Sequence, residues 1–269
     1  MEQVSGICRA VPDISLTTVV LLCLAAALAG WIDAVVGGGG LLLLPALLIG
    51  LPQHAPTYAL GTNKAVAITG TSIAALTYTR KAPVDLRLAV RLGGLATLSA
   101  AGGALFASAV NKEVLQPLIM VVLLGVAAFV VWKPRFGTTV DDRAVTRRRR
   151  WLALAVAGVG IAFYDGLIGP GTGTFLVISL VAILHLDMLT ASATAKVVNV
   201  GTNLGALLGF AAQGTVLWKL AAVMALFNMA GGWIGAHMAL RRGSGFVRAI
   251  LLVVVTALVV RLGYDQWWS

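Results

Sequence analysis

Asp33-Ala-Val-Val-Gly37-Gly-Gly-Gly40 and Asp165-Gly-Leu-Ile-Gly169-Pro-Gly-Thr-Gly173 each close a long apolar run and open a short one, Leu41–Gly50 in the first case and Thr174–His185 in the second. Neither cluster can continue a regular helix, because glycine forfeits the most backbone entropy there and proline removes a donor. A break inside an apolar segment leaves N–H and C=O groups unpaired. Lipid does not tolerate that unless protein or a polar cavity surrounds them. The short helix after each break begins there, with free N–H groups and its positive dipole end available to an anion. Glycines that only let helices pack closely are the alternative reading. Interruptions at matching places in two halves favour the cavity.

The halves do match. Asp33/Asp165, Gly37/Gly169, Gly39/Gly171, Thr62/Thr194 and Lys64/Lys196 all stand 132 positions apart, as do Val84-Asp-Leu-Arg-Leu-Ala89 and Val216-Leu-Trp-Lys-Leu-Ala221. Rare Asp and Lys falling at one offset inside apolar surroundings are hard to generate by composition, so the chain is read as a duplication.

Composition places the duplication in a membrane. Hydrophobic residues make up 59% of the 269 and charged residues only 11%, with a mean hydropathy of +0.94; soluble domains carry about 25% charged residues. Leu16–Val36, Pro56–Thr79, Leu86–Val110 and Val114–Trp132 approach the length needed to cross the hydrocarbon as helices. No alternation of an outer-membrane barrel is present. The net charge of +10 sits in short connections, which carries topology and points to no nucleic acid. Cys8 and Cys23 support neither a disulfide framework nor a thiolate metal site, and a cleavable signal peptide is not expected, because the segment ending at Asp33 has a twin in mid-chain.

Seven Lys/Arg in Lys133–Arg150 mark that linker as cytoplasmic, and Arg80, Lys81, Arg87 and Arg91 mark another cytoplasmic connection. The turn at Asn111–Glu113 and the stretch Gln213–Lys219 are then outside, and Arg241, Arg242 and Arg248 mark an inside turn. Corresponding loops fall on opposite faces, so the repeats are expected to be inverted, with both termini outside. The expected fold is an all-α polytopic membrane protein. Its units are a tail at 1–15, a first repeat at 16–132, a basic linker at 133–150, a second repeat at 151–262 and a tail at 263–269. Each repeat holds an interrupted or re-entrant helix pair followed by three transmembrane helices.

The candidate site gathers around the breaks: Gly37, Gly38, Gly39, Gly40, Thr62, Asn63 and Lys64 from the first repeat, and Gly169, Gly171, Thr172, Gly173, Lys196, Asn199 and Asn203 from the second. Lys196, Asn199 and Asn203 share one helical face. Their counterparts Lys64, Ala67 and Thr71 make the first face less polar. Intramembrane lysines call for a partner. It is either a bound anion or a carboxylate, the latter giving pairs Asp33–Lys64 and Asp165–Lys196; lysines snorkelling from helix ends are the third reading. Asp33 and Asp165 are read as ion-pair, capping or coupling groups. His54, His185 and His237 lack ligand spacing, so neither a metal nor a cofactor is expected. Gly231-x-x-x-Gly235 and its mate Ser99-x-x-x-Gly103 fit close helix packing, within one chain or across a homodimer. Trp267 and Trp268 read as an interfacial anchor.

Trp31-Ile-Asp-Ala-Val-Val-Gly-Gly-Gly-Gly-Leu-Leu-Leu-Leu-Pro45, Ala59-Leu-Gly-Thr-Asn-Lys64, Phe163-Tyr-Asp-Gly-Leu-Ile-Gly-Pro-Gly-Thr-Gly173 and Ala193-Thr-Ala-Lys-Val-Val-Asn199 together resemble the TauE/SafE family of membrane permeases, within its YfcA-like branch. The resemblance covers nearly the whole chain after about the first fifteen residues. It implies transport of small sulfur-containing anions, such as sulfite or organosulfonates, across the bacterial cytoplasmic membrane. The glycine-rich turns, Thr62-Asn63-Lys64 and Lys196 would line the site. The leading expectation is a secondary carrier working by alternating access, with a proton or sodium ion as coupling partner. An anion channel with the same lining residues is the alternative. No nucleotide-binding motif and no nucleophile–base pair is found, so an enzyme is not expected.

Overall fold

The computed structural model describes residues 15–109 and 146–268. The expected span Val114–Trp132, the turn Asn111–Glu113 and most of the linker lie outside the described residues. Eight elements follow: α1 (Leu16–Val36), α2 (Gly39–Gly50), α3 (Pro56–Thr79), α4 (Leu86–Ala109), α5 (Arg147–Leu167), α6 (Thr172–Leu184), α7 (Met188–Ala212) and α8 (Trp218–Trp268).

Their ends follow from local chemistry. The Ser15 side chain accepts from Thr18 N–H to cap α1, and Asp187 accepts from Leu189 and Thr190 N–H to cap α7. Pro56 opens α3, where its missing N–H leaves nothing unpaired. Helix α5 starts at Arg147, four residues inside the basic linker, and its Leu154–Ile161 stretch is π-helical. Helix α8 carries a non-helical residue at Gly243 and continues through the segment read as a C-terminal tail.

Helix α1 ends at Gly37, whose φ of 80° is left-handed and whose N–H bonds to Asp33 O at 2.8 Å. The chain then reverses. Gly39 lies against Ala29 and Asp33, and Gly50 lies against Leu22, so α2 returns along α1 as a re-entrant hairpin. At 12 residues it is too short to span a bilayer, at ~1.5 Å per residue.

Residues 132 positions apart make similar packing contacts. Gly231 and Gly235 of α8 lie against the backbone of Ala27 and Trp31 in α1. Their mates do the same in the other half: Ser99 Oγ of α4 donates to Val159 O in α5 at 2.9 Å, and Gly103 lies against Phe163 O. The small-residue motif therefore works within one chain. A side chain at Gly231 or Gly235 would run into backbone, which explains the residue type.

Helices α3 and α7, each other's repeat mates, run antiparallel through the centre. Gly61 meets Phe210 near one end, and Thr71 meets Asn203 further along. Among the described residues, four helices, α1, α4, α5 and the Trp218–Gly243 part of α8, are long and apolar enough to cross a membrane. They surround α3 and α7, which carry the polar residues and bury them. Large apolar side chains such as Leu21, Leu24, Leu98 and Leu226 are exposed on the outside, as a lipid-facing surface requires. Asp85, Arg87, Arg91, Arg147 and Arg150 line one surface cavity, so the two basic stretches occupy the same face.

Candidate functional site

The two breaks meet. The backbones of Gly37 and Gly173 touch so closely that a Cβ on either would overlap the other. Thr174 Oγ1 donates to Val36 O at 3.0 Å, tying the last carbonyl of α1 to the first turn of α6. Tyr164 Oη donates to Pro170 O at 2.6 Å and Tyr78 Oη to Ala34 O at 2.9 Å, which fixes the flanking chain. The unwound backbone is thus tied to neighbouring protein groups.

A small cavity of about 30 Å³ lies beside this junction. Its walls include Gly37, Gly39, Gly40, Asn63 and Lys64 from one half, Gly169, Gly171, Thr172, Gly173, Asn199 and Asn203 from the other, and both Asp33 and Asp165. Helices α2 and α6 start at Gly39 and Thr172, so Gly39, Gly40, Thr172 and Gly173 bring first-turn backbone to the wall, the N–H of Thr172 already donating to Gly169 O at 3.3 Å.

Gly38, Thr62 and Lys196 do not reach the wall. Thr62 Oγ1 accepts from Leu217 N at 3.1 Å and so anchors the connection after α7, while Thr194, its mate, donates to Thr190 O at 2.8 Å. Lys196 stands one step behind the wall, through Asp33. Asn228, which sequence reading passed over, does reach it. Its Nδ2 donates to Ala26 O at 2.8 Å, and its side chain fills the space beside Gly70. Its mate is Ala96, so the repeat offset gives no signal; a lone amide in an apolar span was the available one.

Both lysines are paired with carboxylates, but not with those of their own repeat. Lys64 Nζ lies 2.8 Å from Asp165 Oδ1, and Lys196 Nζ lies 2.9 Å from Asp33 Oδ2. The pairs Asp33–Lys64 and Asp165–Lys196 are therefore corrected to a crossed set. The physical reason is the junction itself, which brings each break against the other repeat's central helix. Snorkelling is excluded as well, since Lys64 is 2% and Lys196 1% exposed.

The two pairs are unequal. Asp33 Oδ2 receives a second donor, Thr71 Oγ1, at 3.1 Å, and Thr71 in turn receives Asn203 Nδ2 at 3.3 Å. Asn203 also reaches Asn199 Oδ1, which accepts from Thr202 Oγ1 at 2.9 Å. Among the described residues, Asp165 has Lys64 alone. Its Oδ2 is buried without a hydrogen-bond partner, as is Asn63 Oδ1.

Residues 22–262 match the family described as Sulfite exporter TauE/SafE. The chain belongs to the TauE/SafE family. A probable membrane transporter protein, ORF9, of Sinorhizobium sp is 35% identical over 94% of this chain and 95% of its own. A probable membrane transporter protein of Haemophilus influenzae is 32% identical over 95% and 98%. The probable membrane transporter protein YfcA of Escherichia coli is 32% identical over 90% and 88%. No solved structure matches. As a TauE/SafE protein the chain is an all-α polytopic membrane transporter, and the expectation from its motifs holds at that level.

Proposed function

We propose that this TauE/SafE protein is a secondary carrier that moves a small sulfur-containing anion, sulfite or a short organosulfonate, across the bacterial cytoplasmic membrane. Two inverted halves would expose the shared cavity to one side at a time. The observation that carries this reading is the convergence of two helix starts, α2 and α6, on one cavity that also holds Lys64, Asn63 and Asn199. Helix N-termini supply N–H donors and positive dipole ends, and a desolvated ammonium adds full charge. The substrate class follows from the family description, which names sulfite.

A cavity of about 30 Å³ holds a water or two. Sulfite entry requires the walls to part, and the crossed ion pairs are the contacts between halves that would have to loosen. That favours a gated carrier over a standing pore. In proteoliposomes, preloaded sulfite is expected to accelerate uptake of labelled sulfite with saturable kinetics. Single-channel currents would establish a channel instead, and an absence of both flux and binding for sulfite and sulfonates would sink the anion reading.

The inverted arrangement is supported by the antiparallel mates α3 and α7 and by the shared basic face of Arg87, Arg91, Arg147 and Arg150. Reporter fusions after Lys81 and after Thr215 should report opposite sides of the membrane. The same side for both would refute it.

A further inference from the structure

The cavity that is read as an anion site has orphan groups of the wrong sign. Both buried side-chain atoms without partners on its wall, Asp165 Oδ2 and Asn63 Oδ1, are acceptors, and both lysines are already engaged. A buried polar atom without a partner is destabilising, more so on a charged group. What fits beside Asp165 Oδ2 is therefore a donor or a cation.

The repeat explains why the gap lies at Asp165 and not at Asp33. Thr71 donates to Asp33, so the equivalent bond in the other half would run from Asn203 to Asp165. Asn203 instead turns its Nδ2 to Thr71 and Asn199. One oxygen of Asp33 thus holds two donors, whereas Asp165 Oδ2 holds none.

We propose that Asp165 is the proton-binding residue of the carrier and that a proton on its Oδ2 releases Lys64 to hold the anion. This rests on the anion-carrier reading above. The proton comes from the side to which the cavity is open. It converts the Asp165 carboxylate to a neutral acid whose O–H donates into the cavity, where Asn63 Oδ1 is the other orphan acceptor. Lys64 stays an ammonium and exchanges Asp165 for the incoming anion.

Charge is balanced in the resting and loaded states. The resting site holds Lys64 with Asp165, and the loaded site holds Lys64 with a monovalent anion beside the neutral acid. Neither of these two states carries net charge; the protonated site before the anion arrives holds Lys64 as an uncompensated ammonium, and that is the state that draws the anion in. A metal cation in place of the proton would sit against the Lys64 ammonium, which is 2.8 Å from the same carboxylate. Among the described residues, the other charged and titratable groups around Asp165 are Tyr164, whose hydroxyl is bonded to Pro170, and the Asp33–Lys196 pair; α4 packs the backbone of Ala100 and Gly103 against this part of α5.

The test uses purified full-length protein and methanesulfonate, a sulfonate whose charge does not change between neutral and mildly acidic pH. Saturable binding should weaken about tenfold per pH unit once Asp165 is deprotonated, with one proton taken up per anion bound. Asp165→Asn, which fixes the neutral form, should bind with no pH dependence. Asp33→Asn should keep the slope. Infrared difference spectra give a readout that needs no anion: a protonated-carboxyl band should grow as pH falls in the wild type and in Asp33→Asn, shift on carbon-13 labelling of aspartate, and be missing from Asp165→Asn. Saturable but pH-independent binding by the wild type would overturn the proton site and leave the anion site standing. An absence of binding with the infrared band present would overturn the anion site and leave the proton site standing. A band lost with Asp33 and kept without Asp165 would overturn the assignment, as would a wild type that shows no band.

Discussion

Lys196→Ala is expected to destabilise the protein by about 3 kcal/mol, the lower end of what removing one partner from a buried ion pair costs, because the Asp33 carboxylate left behind is 15% exposed. Asp33 would be left with Thr71 as its remaining donor, in a site where the lysine is 1% exposed. The informative measurement is a pair of double variants. Adding Asp33→Ala removes the stranded charge and should restore much of the stability, whereas adding Asp165→Ala strands Lys64 too and should lower it further. Unfolding midpoints in detergent read both, and the coupling energy identifies which carboxylate belongs to which lysine. Coupling of Lys196 to Asp165 instead would show pairing within the repeat and refute the crossed arrangement.

Gly173→Ala is the second large effect. Its added Cβ would fall onto the backbone of Gly37, where no flexible side chain can move aside. Overpacking of this kind typically costs about 1–3 kcal/mol. Gly37→Ala meets the same obstacle from the other side and must also hold a φ of 80°, adding about 1–2 kcal/mol for a left-handed alanine. Gly40→Ala is the control in the same cluster, because the nearest atom to its Cβ, Pro170 Cα, is 3.5 Å away. The first two should lose most of the monodisperse protein on size exclusion, and the third should keep it. Equal behaviour of all three would mean that contact of the breaks is not what the glycines serve.

The sequence made the two breaks, the intramembrane aspartates and the buried lysines readable, since these are rare events in apolar surroundings and they recur at one spacing. It could not choose between pairing within a repeat and pairing across repeats, because both obey an offset of 132 equally well. Only the contact of Gly37 with Gly173 decides, and that is a property of how the halves dock. Thr62 shares its neighbourhood with Asn63 and Lys64 yet faces the turn at Leu217, since successive helical residues point about 100° apart. Asn228 was hidden for the opposite reason: it has no polar counterpart to be noticed with. The reversal at Gly37, which makes α2 a hairpin arm, depends on packing against Ala29 and Leu22 that local glycine content does not encode.

The crossed pairs also bear on how the chain is made. Asp33 and Lys64 are synthesised and inserted before either Asp165 or Lys196 exists, so the first half enters the membrane carrying two ionisable groups whose final partners lie more than a hundred residues behind, that of Asp33 163 residues behind. That half cannot reach its finished state alone, and assembly is completed only when α5 and α7 arrive. A first repeat expressed without the second is therefore expected to lack the partners of Asp33 and Lys64, and raised protease sensitivity relative to the full chain is the measurement that checks it.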